Sequence, residues 1–75
     1  MKEVIITEEP IALCNLLKLE NLTASGGEAK HVIALGMVRV NQKTETRKRK
    51  KIFAGDLVEF AGRQFRVQVR ENDSA

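Results

Sequence analysis

The chain has 75 residues, 43% of them apolar, and a formal net charge of +3. A chain this short forms one domain with a small core, burying about 60–65% of its unfolded surface, and it is too apolar to stay disordered. One cysteine excludes an internal disulfide and a cysteine metal cluster, and neither a signal-peptide core nor a run of ~20 apolar residues is present, which predicts a soluble cytoplasmic protein.

"EVII" (3–6) is a short apolar run that reads as an edge strand. "TEEP" follows, with Thr7 as the expected N-cap of a first helix, two acids in its first turn, and Pro10 where its missing N–H costs nothing. The apolar set Ile11, Leu13, Cys14, Leu16, Leu17 and Leu19 then recurs at helical spacing to about Glu20. Asn21, which tolerates a left-handed backbone, can end the helix.

"SGGE" (25–28) predicts a second N-terminus, with Ser25 at the N-cap and Glu28 completing a capping box. That helix runs to about Leu35, burying Ala29, Val32 and Ile33 with Lys30 outward, and Gly36 suits the position after its end. The period then changes to two. In "MVRVN" Val38 and Val40 share one face and Arg39 and Asn41 the other, "NQKT" is a turn, and "AGD" (54–56) and "AGR" (61–63) bracket the strand "LVEF". In the last strand Phe65, Val67 and Val69 face in while Arg66, Gln68 and Arg70 face out; residues 71–75 read as a mobile tail. The expected fold is α+β: one domain over 1–70, with two helices packed on a small, mainly antiparallel sheet of three to five short strands.

Charge is distributed unevenly. From Lys30 to Arg70 there are eleven Lys/Arg against Glu45, Asp56 and Glu59, a net of +8, and the rest of the chain carries −5. Five adjacent cations, Arg47, Lys48, Arg49, Lys50 and Lys51, lie between predicted strands, so folding holds their mutual repulsion in place. A purely solubilising loop or a localisation tag gains nothing from that arrangement. The pattern points to a polyanionic partner. If the run is extended, Arg47, Arg49 and Lys51 share one side, unless a turn re-aims them.

No catalytic constellation forms. Cys14 sits among leucines and reads as a buried, inert thiol. His31, the single histidine, reads as a surface helix residue with neither a nucleophile nor an orienting carboxylate assigned to it. Gly26 and Gly27 either ease the helix start or let a phosphate approach its free N–H groups. All three Phe fall where the strand pattern calls for core, and the absence of Trp and Tyr argues against base-stacking platforms. Nothing points to an enzyme, a cofactor, a metal or a small-molecule substrate. A protein-interaction adaptor docking an acidic partner through the basic face is the alternative to nucleic-acid binding, and duplex DNA is disfavoured because no helix carries recognition residues.

The stretch "LLKLENLTASGGEAKHVIALGMVRVNQ" (16–42), followed by "AGDLVEF" (54–60), resembles the RNA-binding domain first described in ribosomal protein S-four. The "ETRKRKKI" insert is similar to that of the small stand-alone bacterial YbcJ-like members. The resemblance covers about 50 residues and implies an αL motif, two helices backed by a sheet, binding structured RNA, ribosomal RNA among the candidates, without catalysis. Ser25, Glu28, Ala29, Lys30, Gly36, Val38, Val40 and Asn41 match the motif. It implies contacts from Ser25, Lys30 and Asn41; the free N–H groups at the helix start add Gly26 and Gly27, and the charge pattern adds Arg39, Lys43, Arg47, Lys48, Arg49, Lys50 and Lys51. Where the family usually has an Arg-Leu-Asp helix start this chain has Ala12, Leu13 and Cys14, where a basic residue is common it has Gly26, and the turn glycine is Gln42. The loop cations are then expected to supply charge the helices lack, in a protein that acts as a monomer.

Overall fold

The computed structural model describes residues 2–70, so the predicted tail at 71–75 lies outside the described residues. In chain order the elements are β1 (Lys2–Ile6), β2 (Ile11–Ala12), α1 (Leu13–Leu19), α2 (Gly26–Ala34), β3 (Val38–Val40), β4 (Lys43–Thr44), β5 (Lys51–Ile52), β6 (Leu57–Phe60) and β7 (Arg63–Val69). Five strands form one sheet in the order β1-β7-β6-β3-β4. Its pairs are antiparallel except β1 with β7, where Val4 lies beside Val67 in parallel. β2 and β5 form a separate two-stranded antiparallel ribbon. This is the α+β architecture expected, at the upper end of the strand count.

Alternation decides which side of the sheet meets the helices. Val4, Ile6, Val38, Val40, Val58, Phe60, Phe65 and Val67 turn to one face and join Leu13, Leu16, Leu17, Ala29 and Ile33 from the helices in a single buried cluster. Each fully buried Leu or Ile contributes about 1.5–3 kcal/mol of transfer free energy. Arg39, Glu59, Gln64 and Arg66 occupy the alternate positions on the opposite face, at or partly in solvent.

Both helices end as expected. After α1, Asn21 takes a φ of 57°, its N–H donates to the Lys18 carbonyl, and the Leu22 N–H reaches back to Leu17. After α2, Gly36 (φ 77°) and Met37 make the same pair of bonds to Ile33 and Val32. These are Schellman ends, in which a left-handed residue lets the last carbonyls find donors. Ser25 caps α2 as predicted, its hydroxyl oxygen accepting from the Glu28 N–H at 3.2 Å, but among the described residues no return bond from the Ser25 N–H to the Glu28 carboxylate completes the expected capping box.

The start of α1 corrects the sequence reading. Thr7 is not its N-cap and Pro10 is not in its first turn: residues 7–10 bend, Ile11 and Ala12 pair with Ile52 and Lys51, and the helix begins at Leu13 with extended Ala12 as a cap lacking any side-chain bond. Long-range strand pairing takes precedence over a local capping preference. The same shift removes Ile11 from the helix, and Leu19 at its end is exposed instead of joining the core.

Two tight hairpins connect sheet strands. Asn41 and Gln42 (φ 53° and 68°) link β3 to β4, and Ala61 and Gly62 (φ 54° and 77°) link β6 to β7. Two central residues at positive φ match the right-handed twist of the flanking strands. No helix of the described residues is long and apolar enough to cross a membrane.

Candidate nucleic-acid interface

The basic segment is built into the fold at both ends. On one side the Glu45 N–H donates to the Val38 carbonyl at 2.9 Å, continuing the β3–β4 pairing, and on the other Lys51 and Ile52 pair with β2 as β5. Between them the first N–H groups of α1, left without a side-chain cap, are taken by the segment itself. Leu13 N–H donates to the Lys50 carbonyl at 2.9 Å and Cys14 N–H to the Lys48 carbonyl at 3.0 Å. A helix start always leaves such donors unpaired within the helix. Here the carbonyls of the cationic run satisfy two of them, and that exchange fixes the run's backbone.

The run is therefore not an extended strand. The Lys50 N–H donates to the Arg47 carbonyl at 3.1 Å, closing a turn over 47–50 that re-aims the side chains from strict alternation. With Thr46, all five cations border one open concavity of about 780 Å³, whose other wall is Lys30 and Ala34 of α2. Lys30 and Ala34 are four residues apart and share a helix face. The structure thus brings together Lys30, Arg47, Lys48, Arg49, Lys50 and Lys51.

The other predicted site residues lie elsewhere. Ser25, Gly26 and Gly27 stand at the start of α2 and do not border the concavity. An added Cβ would meet nothing within 4 Å at Gly26 and only the Ser25 hydroxyl at 3.8 Å at Gly27, so chain packing does not demand glycine there. Arg39 sits on the far face of the sheet, between Thr44 and Glu59. Lys43 is exposed at the end of the hairpin on the edge strand β4. Asn41 is committed to the fold: its carboxamide oxygen accepts from the Leu57 N–H at 3.0 Å and its nitrogen donates to Asp56 Oδ1 at 3.2 Å.

Sequence reasoning missed two residues. Glu45 accepts three hydrogen bonds from Arg47: from the backbone N–H and Nε, both at 3.0 Å on Oε2, and from Nη2 at 3.3 Å on Oε1. It is the one ion pair among the described residues, and the Glu45 side chain is only 13% exposed. The hydrogen bond from the Arg47 guanidinium holds the Glu45 carboxyl below the usual carboxylate range, partly opposed by burial, and raises Arg47 in turn. The E-x-R spacing was the available signal. Phe53, expected in the core, is 46% exposed, while Phe60 and Phe65 are buried. The chain turns at 53–56, where the Phe53 N–H donates to Asp56 Oδ2 at 2.8 Å, so the alternation of β6 does not extend back to it. Cys14 is buried and His31 exposed, as read. Among the described residues no group of His, Cys, Asp and Glu has metal-site geometry.

Comparison with known proteins agrees with this architecture. The family model for the S4 domain matches residues 4–68. YbcJ of Escherichia coli (strain K12), named for RNA binding, is 53% identical over 57 residues, which cover 76% of this chain and 81% of YbcJ. RlbA of Bacillus subtilis (strain 168), named as a probable ribosome maturation protein, is 39% identical over 57 residues, 76% of this chain and 80% of RlbA. The solution structure of E. coli YbcJ, described as revealing an αL motif involved in RNA-binding, matches with a TM-score of 0.68 and 46% identity, covering 91% of this chain and 87% of that one. With a model spanning nearly all the described residues and relatives at this identity, the chain belongs to the S4 domain family.

Proposed function

We propose that this chain is a non-catalytic RNA-binding protein of the bacterial cytoplasm that holds structured RNA, ribosomal RNA first among the candidates, in the concavity between α2 and residues 46–51. The observation that carries the reading is that Lys30 and five loop cations border one surface into which no carboxylate projects as a lining residue. Such a surface attracts phosphates and releases their counterions on binding. Arg49 is suited to a bidentate grip on phosphate or a base edge, and the lysines supply less directional charge. Ser25, Gly26 and Gly27 add the positive end of α2 one turn away, where the unpaired N–H groups favour an anion. The one exposed ring of the three Phe, Phe53, is not among the lining residues, so recognition rests on phosphates, sugars and shape instead of base stacking. The names of YbcJ and RlbA support the same direction. The protein is read as acting alone, as a monomer.

Filter binding to purified ribosomal RNA, with and without excess acidic protein, tests the proposal. Engagement of about four to six phosphates gives a slope of log K against log salt of roughly −3 to −5. Retention of RNA in the presence of the acidic competitor is the expected result. Displacement of the RNA by the acidic protein would overturn the reading in favour of an adaptor that docks an acidic partner.

A further inference from the structure

We propose that Glu45 is a positioning residue for the RNA surface, using its negative charge to shape the cationic segment and thereby favour folded RNA over a flexible polyanion; this rests on the RNA-binding reading above. An acid beside five cations would, as a bare charge, only weaken attraction for phosphate. Its geometry indicates a different use. The backbone of the segment is tied to β3 at Glu45 N–H and to α1 at the Lys48 and Lys50 carbonyls. Between those ties, at Thr46 and Arg47, the described bonds that fix the approach to the turn are the three that Arg47 makes to the Glu45 carboxylate. One oxygen takes both the Arg47 N–H and Nε, which holds the backbone at 47 and its own side chain together.

The consequence falls on the neighbours. The Arg47 carbonyl receives the Lys50 N–H, so the residue held by Glu45 is also the first residue of the turn that carries Lys48 and Arg49. The turn in turn presents the two carbonyls that accept from Leu13 and Cys14. Arg47 is spent in part as a strut, with its charge already paired, while Lys30, Lys48, Arg49, Lys50 and Lys51 have no ion-pair partner among the described residues. A preorganised set of cations matches a fixed arrangement of phosphates without ordering itself on binding, which is where affinity for a shaped ligand is gained. A flexible polyanion adapts to any cationic surface and gains nothing from that order.

The test is Glu45→Gln, which keeps the size of the side chain and removes its charge. Affinity is measured by filter binding for purified ribosomal RNA and for linear polyphosphate, with amide exchange of Leu13 and Cys14 as an RNA-independent readout. Loss of the charged anchor should weaken ribosomal RNA binding about three- to ten-fold. Polyphosphate binding should hold or tighten, because the surface has become one unit more positive, and the Leu13 and Cys14 amides should exchange faster while those of Ile33 and Val58 keep their protection. Equal or tighter binding of ribosomal RNA by the variant, or an equal loss on both polyanions, overturns the proposal. If the unsubstituted protein fails to prefer ribosomal RNA at all, the RNA reading itself falls, and unchanged exchange at Leu13 and Cys14 then also removes the positioning role.

Discussion

Replacing Arg49 by Glu reverses one charge at the centre of the cationic turn. Arg49 is exposed and makes no hydrogen bond or ion pair among the described residues, so the substitution removes no fold contact. Thermal unfolding should therefore move by no more than the equivalent of about 0.5 kcal/mol, and relief of repulsion from its cationic neighbours acts toward greater stability. Binding should respond strongly. With Arg47 paired to Glu45, five unpaired cations border the concavity. If each meets one phosphate, the salt slope is about −4.5 on duplex RNA-like charge density and about −3.5 on single strands. Losing one contact lowers the slope magnitude by about 0.7–0.9. A lost charge-assisted bond is worth about 1.5–3 kcal/mol, and the new carboxylate adds repulsion of roughly 0.5 kcal/mol against each phosphate at about 8 Å in water. Affinity should then fall about 30- to 300-fold at fixed salt. Filter binding across a salt series reads both quantities. Arg39→Glu is the control, since it changes charge by the same amount on the opposite face of the sheet, and its effect should be several-fold smaller. Equal losses in the two variants would mean that net charge, not the concavity, governs binding. An Arg49→Glu protein with the original affinity and slope would refute the reasoning outright.

The remaining expectations concern the frame. Gln42 occupies a left-handed turn position (φ 68°) that glycine fills without strain, so Gln42→Gly should stabilise the fold by about 0.5–1 kcal/mol, a rise of roughly 2–8 °C in Tm by calorimetry; a lower Tm would show that the hairpin is unstrained. The Glu45–Arg47 pair carries a pH signature. Because the folded-state carboxyl of Glu45 lies below its ordinary value, its contribution is fully present above the usual carboxylate pKa near about 4.3 and is lost as pH falls through the folded value. The difference in unfolding free energy between the parent and Glu45→Gln should accordingly shrink on acidification, and an unchanged or growing difference would contradict the pairing.

Much of the frame was legible in order. Ser25 with Glu28, the helix-ending Asn21 and Gly36, and the alternation of Val38 and Val40 and of Phe65 and Val67 are local signals, and each element they predict is present. Local chemistry misled at Thr7 and Pro10, whose capping potential competes with pairing to residues some forty positions away. Phe53 misled for a related reason: apolar character marks it for burial, but β5 is only two residues long and the chain turns beneath the Asp56 carboxylate before alternation resumes.

The sequence by itself determined that a cationic run exists, that strands bracket it, and that a helix with an outward Lys30 follows a capped start. These are properties of composition and short-range period. Only the tertiary structure decided how the run is held, because two carbonyls of its 47–50 turn accept from the N–H groups of Leu13 and Cys14, more than thirty residues upstream. The fold also places Lys30 of α2 and the loop cations on one surface. Arg39 is sent to the other face by its strand register, and Asn41 is used up in holding Leu57 and Asp56. Which charges act together is a question of distance across the fold, and spacing along a chain does not contain that distance.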